Sequence, residues 1–568
     1  MKLKLKTLTP VHISTGNDLE PFDYLIKDED FYRISLAKAI DVISEEVPDA
    51  PQQFSEWLDK ELFRFEAQKN TQHHQANRGQ SKIRREINFG VFCRGVLKKP
   101  GLVDKLIKSA VVYKMPLPFG MVNNTQVNEQ LKSSDNLPYI PGTSIKGAVR
   151  TALAANAWMK LTDNERARIT QNTKRSMGQF YPKRYYKEKD EYLMELLFSC
   201  RTTDNSKSDS ARFSIFKFFH FSDAHIIPSD QKETMQANPV FLYLKDKAPQ
   251  PQTNIQETIS PGSILEFDLI VDTNGLWRAY KESKAGTGIW LDLEMKLERL
   301  FEVKLSEIKK DELEKKVIEG IFSVLNKQAT LTFERDLKWM DGLRYFTQKN
   351  GIAENTIKRI SSFFTGGIPG EGGTLKTGWG SGFLSTTIFH SIKQTDEPFV
   401  KEMFHDLKIG EARQKPGYGN QEQQSSPTNL NHFPKTRRMT AQQLLIPDSV
   451  LGWIQIAENF STPVPGDVKT DTVETRVVEA PKVDTEAIIA GYLEANQKLK
   501  LKEMQKMYAR VVRSEAPMVV CEILHPNLPG EFKARYPAGL PEGSFVLLNV
   551  NFIKSGIIQN VSIAKALV

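Results

Sequence analysis

The sequence predicts an α+β protein of several units that ends in a small β-rich domain. Lysine and leucine alternate at the start, apolar residues recur at helical spacing from Ile145 to Leu153, and five short β-type runs lie between Tyr508 and Ile563. A chain of 568 residues exceeds what one core can hold. At ~100–200 residues per domain it suggests about three units.

The opening Met1-Lys-Leu-Lys-Leu-Lys-Thr-Leu8 predicts a half-buried strand with Leu3 and Leu5 inward and Lys2, Lys4 and Lys6 on the other face. It runs into a turn, Thr9-Pro-Val-His-Ile-Ser-Thr-Gly16. The glutamine-rich, basic stretch from Gln68 to Arg85 predicts a mobile loop between helical segments, and its neighbours His73 and His74 are badly placed to share a metal. At Pro141-Gly142 a turn opens a helix that Thr143 or Ser144 can cap, with Ile145, Ala148, Val149, Ala152 and Leu153 as its buried stripe. Lys146 and Arg150 flank that stripe near the positive end of the helix dipole, where acidic residues are preferred. A phosphate would satisfy the free N–H groups and both cations together. An ordinary amphipathic helix with two solvated cations fits the same residues, since such a dipole mismatch costs under ~1 kcal/mol.

From Lys174 to Lys189, cations alternate with Phe180, Tyr181, Tyr185 and Tyr186, a pattern that suits base stacking but reads more simply as a surface segment. Phe213 to Asp223 reads as an aromatic strand, Val240 to Leu244 as a short one, and Ile264 to Val271 as one that alternates Leu265, Phe267 and Leu269. A second unit is expected to begin in this region. Charge-balanced, solvated helices are predicted from Leu293 to Asn326, and another helix around Asn355 to Phe364.

Eight glycines fall between Gly366 and Gly382, closing in Thr377-Gly-Trp-Gly-Ser-Gly-Phe383. Such density disfavours a packed element and suits close approach of backbone N–H groups to phosphates, with Trp379 or Phe383 stacking. The segment lacks the Gly-Lys-Ser/Thr of a Walker loop and the later acidic residue of a dinucleotide site. A polar, glutamine-rich stretch from Gly410 to His432 leads to Phe433-Pro-Lys-Thr-Arg-Arg438, whose three cations could grip a nucleic-acid backbone or be solvated. Ser461 to Val483 has linker composition, and a short helix is expected from Thr485 to Lys498. The closing runs, Tyr508–Arg513, Met518–Leu524, Phe532–Tyr536, Phe545–Val550 and Ile557–Ile563, suggest a small barrel of OB type, a topology that periodicity alone does not fix. The expected divisions are thus 1–230, 231–460, a linker at 461–483 and a β-rich extension at 484–568.

Lysine and arginine number 77 against 69 acidic residues, a net charge of +8 and a pI near 9.0, which fits contact with a polyanion without requiring it. Cys93, Cys200 and Cys521 are too far apart in sequence for a CxxC zinc site or a disulfide framework, which points to a reducing cytoplasm. The amino terminus lacks the apolar run of a signal peptide, and no window reaches the ~18 apolar residues of a membrane span. A soluble cytoplasmic protein without membrane partners, cofactor or metal is the expectation.

Taken in order, Thr9–Gly16, Pro141–Arg150, Gly378–Phe383 and Phe433–Arg438 resemble the RAMP superfamily of CRISPR-associated proteins, over roughly residues 1 to 455. Within it they look most like the fifth subunits of type III-A Csm effector complexes. The resemblance implies two ferredoxin-like, RRM-like units with helical insertions, whose sheet and glycine-rich loop hold crRNA. It implies a non-catalytic subunit that caps the complex at the crRNA 3′ end and supports crRNA maturation. Its partners would be crRNA, other Csm subunits, especially the neighbouring RAMP backbone subunit, and host ribonucleases. Carried onto this sequence, Thr143, Ser144, Lys146 and Arg150 would contact guide phosphates, and Gly378, Trp379, Gly380, Ser381, Gly382 and Phe383 would lie against the same strand. His12 would sit beside RNA or the neighbouring subunit, with Lys435, Arg437 and Arg438 as further backbone contacts. The tail beyond about residue 460 falls outside the pattern and could bind RNA or recruit a protein.

Two catalytic alternatives stand beside this expectation. Metal-independent cleavage of precursor crRNA needs a base, an acid and cations, which His12 with Lys146 or Arg150 could supply. Related backbone subunits cut target RNA with a thumb aspartate, for which Asp209 and Asp223 are candidates by proximity alone.

Overall fold

The first strand, β1 (Lys2–Thr7), buries Leu3, Leu5 and Thr7 and turns Lys2, Lys4 and Lys6 the other way, the alternation its sequence predicts. In the computed structural model β1 lies inside a seven-stranded sheet, antiparallel to β12 (Ile264–Val271) on one side and β16 (Trp453–Ala457) on the other. Leu3 stands opposite Phe267, and Leu5 stands opposite both Leu265 and Ile456. Outside β16 lies β13 (Gly373–Lys376). On the other side follow β9 (Ala224–Ile226) and β7 (Tyr139–Ile140), while β8 (Phe219–Phe221) pairs with the far end of β12. The helix Gly142–Met159 joins the same core through Ile145, Val149 and Leu153, each contributing ~1.5–3 kcal/mol by burial.

The structure describes residues 1–72, 87–118, 121, 125–175, 193–203, 211–227, 234–245, 247–249, 254–345, 347, 351–407, 409, 430, 433–443, 446–460, 493, 506–515, 518–525, 531–535, 544–554 and 557–566. Most of the expected loop at 68–85, with His73 and His74, lies outside these residues, as do Phe180, Tyr181, Tyr185, Tyr186 and Asp209, most of 410–432, the linker at 461–483 and nearly all of the helix expected at 485–498.

A second sheet has six strands in the order β15 (Ile446–Val450), β14 (Thr436–Gln443), β10 (Met235–Leu244), β11 (Asn254–Ile259), β6 (Val127–Gln130) and β2 (Ser14–Leu19). One face is apolar: Met235, Ala237, Val127, Ile255 and Leu19 share one cluster, and Phe241, Tyr243, Met439 and Ala441 share another. Strand alternation puts Gln236 and Asn238, Gln256 and Thr258, and Arg438 and Thr440 on the opposite face, where Asn238 stands across from Gln256. This sheet has one apolar face and one largely polar face.

Between β2 and β6 sits a three-stranded sheet of β3 (Tyr24–Lys27), β4 (Asp30–Ile34) and β5 (Val111–Pro116), whose connecting segment forms a separate core with Phe54, Phe89 and Phe92. The helix Ala50–Gln72 runs through the start of the expected loop at Gln68.

The chain forms two compact units, Met1–Asp467 and Val468–Val568. Within the first, segments from either side of position 230 alternate in both large sheets, so the division expected there separates no sheet. Phe213 to Asp223 is not one strand: Ile215–Phe218 forms a 3-10 turn before the short β8. Ile215, Phe216, Phe218 and Phe219 are all buried, a pattern without the period of two that a half-buried strand requires. The charged helices resolve into Leu293–Phe301 and Leu313–Tyr345. The second runs past Asn326 and is not a solvated rod, since Val317, Ile321, Val324, Phe333, Trp339 and Met340 are buried along it.

In the second unit, β17 (Lys506–Glu515), β18 (Met518–Ile523), β19 (Glu531–Arg535), β20 (Phe545–Lys554) and β21 (Ile557–Ala566) match the five expected runs closely. They form one antiparallel sheet in the order β19-β18-β17-β20-β21, around Met507, Ala509, Val511, Val519, Cys521, Val546 and Leu548. Its two outermost strands, β19 and β21, also come into contact.

Candidate nucleic-acid interface

Val11 bridges to Ile259, so the chain after β1 runs on beside β11 and carries His12 onto the polar side of the six-stranded sheet. The His12 ring is only 1% exposed. Its Nδ1 lies 2.6 Å from the Glu257 carbonyl oxygen, an acceptor, so Nδ1 carries the proton and donates. Nε2 is then left with a lone pair and no partner among the described residues. Burial holds the His12 pKa below its ordinary value of 6.5, against the pull of Glu257. His12 is therefore neutral and internal, not at the RNA-facing surface the resemblance implies.

What His12 does hold is Trp379. The Trp379 N–H donates to the His12 carbonyl at 2.8 Å, and the rings meet edge to face at 6.0 Å between centroids. This approach requires glycine at 378, where φ is +79° and a Cβ would lie 2.5 Å from the His12 carbonyl oxygen. The glycine density read as room for a ligand serves first to seat the segment against the protein's own backbone. Ser381 is buried within it, Gly380 passes Leu451, and Gly382 is exposed.

Across the half-exposed Trp379 ring lies the exposed Arg438, its guanidinium carbon 4.8 Å from the ring centroid. Arg438 stands on the polar face of β14, the same sheet face as Gln256, which is fully buried and has neither side-chain amide atom partnered among the described residues. Nearby Asn238 donates to the Thr258 hydroxyl at 2.7 Å. Trp379 and Arg438 together offer a ring for stacking and a guanidinium for phosphate. The polar alternation of Gln236 with Asn238 and of Gln256 with Thr258 is visible in the sequence, but its placement beside Arg438 depends on pairing across distant segments.

The wall beneath this sheet is pinned by Glu257, which is fully buried. Its carboxylate accepts from the Tyr113 hydroxyl, from the Gln130 N–H at 3.0 Å and from Lys132 Nζ at 2.7 Å. Gln130 in turn accepts from the Ile13 N–H at 2.9 Å, fixing the residue after His12.

The helix Gly142–Met159 begins two residues earlier than a Thr143 cap allows and three earlier than a Ser144 cap does, and its side-chain cap is remote. Asp223 accepts from the Gly142 N–H at 2.8 Å, and a Cβ on Gly142 would lie 2.1 Å from the Phe221 carbonyl oxygen. A carboxylate from a distant segment thus takes one of the helix N–H groups that the sequence leaves open for phosphate. Thr143 is exposed in the first turn, and the Ser144 carbonyl accepts a long contact of 3.5 Å from the Thr377 hydroxyl. Ala148, Thr151, Ala152 and Ala155 continue that flank toward Leu384 and Ser385. Lys146 and Arg150 lie on the opposite flank, about half a turn around the helix. Lys146 Nζ donates to the carbonyls of Phe216 and Phe219 at 3.2 and 2.8 Å, while Arg150 lies over the Phe198 ring at 5.1 Å. Lys146 and Arg150 therefore do not face the glycine-rich segment across one groove.

Two further expected contacts have internal partners. Phe383 packs edge to face against Phe389, Phe404 and Phe433 and is partly covered by them. Arg437 donates through Nε to Asp336 at 2.8 Å and lies over Trp339 at 5.1 Å. Burial opposes ionisation of Asp336, but Arg437 and Lys376 overcome it and hold its carboxyl below the usual range. Lys435 and Arg438 remain exposed.

Residues 4–385 match the RAMP superfamily. The chain is 24% identical over 292 residues to the CRISPR system Cms protein Csm5 of Streptococcus thermophilus, an alignment that covers 50% of this chain and 66% of that relative. It thus spans just under two thirds of the relative's length. A chain from the cryo-EM structure of a Csm-crRNA-target RNA ternary complex of a type III-A CRISPR-Cas system is 17% identical, with a TM-score of 0.47, over 80% of this chain and 100% of that one. For the crystal structure of T. onnurineus Csm5 the values are 17%, 0.41, 80% and 99%.

Proposed function

Because the chain belongs to the RAMP superfamily, we propose that it is a non-catalytic RNA-binding subunit of a type III-A Csm ribonucleoprotein, capping it at the crRNA 3′ end and supporting crRNA maturation. One observation carries this reading: Trp379, fixed from below by His12 and covered by Arg438, stands on the polar face of a six-stranded sheet. A half-exposed ring under an exposed guanidinium suits a single strand held by stacking and backbone contact. Lys435 and the backbone at Gly382 are exposed as well. Crucial partners are crRNA and the neighbouring backbone subunit, with host ribonucleases acting on the trimmed end.

The non-catalytic part of the proposal rests on His12. A buried, neutral imidazole whose Nδ1 is committed to a carbonyl is a poor base for a solvent-borne 2′-hydroxyl, and the helix cations turn away from it. Asp223, the described candidate for a thumb aspartate, is engaged in capping Gly142. The test is incubation of the purified protein with precursor crRNA, with and without magnesium or manganese. No cleavage is expected, and cleavage lost in His12→Ala sinks the scaffold reading.

The second unit is read as an OB-type barrel. The order β19-β18-β17-β20-β21 with contact between β19 and β21 supports closure, as does the irregular register of β17 near Val511, which bends a strand shared by two sides of a barrel.

A further inference from the structure

Lys146 and Arg150 are two members of a larger group. Arg150 lies over Phe198 at 5.1 Å and Lys146 over Phe216 at 5.8 Å, and these two rings meet edge to face at 4.9 Å. On the segment that carries Phe216, Arg212 lies over Phe213 at 5.5 Å, and Lys217 lies over Trp290 at 4.5 Å, with Phe213 and Trp290 at 5.3 Å. Cations from the helix thus lie on the Phe198–Phe216 pair, and Arg212 and Lys217 on the Phe213–Trp290 pair, all four rings belonging to the same core. Their stems are fixed in advance; Arg150, Arg212 and Lys217 are all exposed, and Lys217 Nζ also donates to the Arg212 carbonyl at 2.8 Å.

Among the described residues the charge of this group is balanced only in part, by Glu282 and Asp272 near Lys217. Among the described residues no ion pair forms at Arg150, Arg212 or Lys217. Burial and the neighbouring Arg150 push the Lys146 pKa down. Burial and Arg212 do the same at Lys217, where Glu282 and Asp272 each act more weakly than Arg212. Like charges held together at this cost are stabilised by an anion from outside. The cations rise from two different segments and sit over rings, donors without base-reading groups beside them, which fits a phosphate backbone.

We propose that Arg150, Arg212 and Lys217 form a second RNA track, separate from the Trp379–Arg438 surface, which grips the phosphates of a single strand without regard to sequence. It rests on the reading of the protein as an RNA binder. Neither Arg212 nor Lys217 is among the expected RNA contacts, and the helix flank that carries Arg150 faces away from the glycine-rich segment.

The test is the salt dependence of binding by the full chain to a labelled single-stranded oligouridine, measured by fluorescence anisotropy. For the combined Arg150→Gln, Arg212→Gln, Lys217→Gln variant the slope of log K against log salt should fall by about 2, at ~0.7 per lost phosphate contact. The charge-keeping Arg150→Lys, Arg212→Lys, Lys217→Arg variant should retain the slope, which separates loss of charge from loss of folding. A wild-type slope in the glutamine variant overturns the proposal. That same result with loss of assembly onto the other subunits assigns the patch to an acidic protein and also overturns it. Trp379→Ala with Arg438→Gln serves as the second arm. If it alone weakens binding, the second track fails and the first surface stands; if only the glutamine variant does, the first surface fails and the track stands.

Discussion

The Trp379 amide donates to the His12 carbonyl at 2.8 Å while the two rings meet edge to face at 6.0 Å. A residue near the start of the chain therefore sets the height and tilt of the one large half-exposed ring beside Arg438. Packing of this kind fixes a stacking platform before any ligand arrives, which lowers the ordering cost of binding.

Removing that platform should weaken RNA binding without unfolding the protein. Trp379→Ala is expected to cost ~1–3 kcal/mol of affinity for a single strand, the worth of one stacked base. Arg438→Gln should instead lower the salt slope by about 0.7. Anisotropy titrations at several salt concentrations separate the two effects, with melting temperature as the control.

Gly378→Ala should destabilise the first unit more than Gly382→Ala does. Both positions have positive φ, +79° and +86°, but only at 378 would the added Cβ press on a backbone oxygen, at 2.5 Å. Expected losses are about 1–3 kcal/mol at 378 and about 1 kcal/mol at 382. Urea unfolding followed by tryptophan fluorescence measures both.

Burial keeps His12 neutral in the folded state, with its pKa below the ordinary 6.5. The unfolded chain then binds a proton that the folded chain refuses, so stability falls as pH drops through 6.5 toward the lower folded value. His12→Gln should remove this contribution, leaving a flatter melting temperature between pH 7 and the mildly acid range (about one proton's worth of slope, ~1.4 kcal/mol per pH unit at most). Parallel melting curves of the two proteins give the comparison.

Asp336 pairs with Arg437 at 2.8 Å and with Lys376 at 3.5 Å, and all three side chains are largely buried. Asp336→Asn leaves two cations short of their counter-charge and should cost ~3–5 kcal/mol, the penalty for breaking a buried ion pair from one side. Calorimetry of the variant reads the loss directly.

A chain ending at Asp467 retains every described strand of the first unit and should fold cooperatively. Its affinity for crRNA and its assembly with other subunits, measured separately, locate the task of the second unit. Unchanged values in both assays would leave that unit without either role.

The sequence exposes those elements whose pattern is local. Leu3 and Leu5 against Lys2, Lys4 and Lys6, the alternation of β12, and the five strands of the second unit follow from a period of two. It misleads where the partner is remote. The N-terminus of the Gly142 helix looks vacant because its cap, Asp223, lies 81 residues away. Arg437 and Arg438 look alike as neighbours, yet within β14 they point to opposite faces, one into Asp336 and the other over Trp379. Recognising that segment as a strand would have divided them.

The position of β1 between β12 and β16 also bears on how the protein is made. Leu5 finds Leu265 after roughly 260 residues of synthesis, but its other neighbour, Ile456, emerges roughly 450 residues after it, about 20–90 s later at ordinary rates of translation. Until then one side of β1 offers unpaired N–H and C=O groups to any strand within reach. Its three lysines guard the nascent chain during that interval, charging an edge that the finished molecule no longer has.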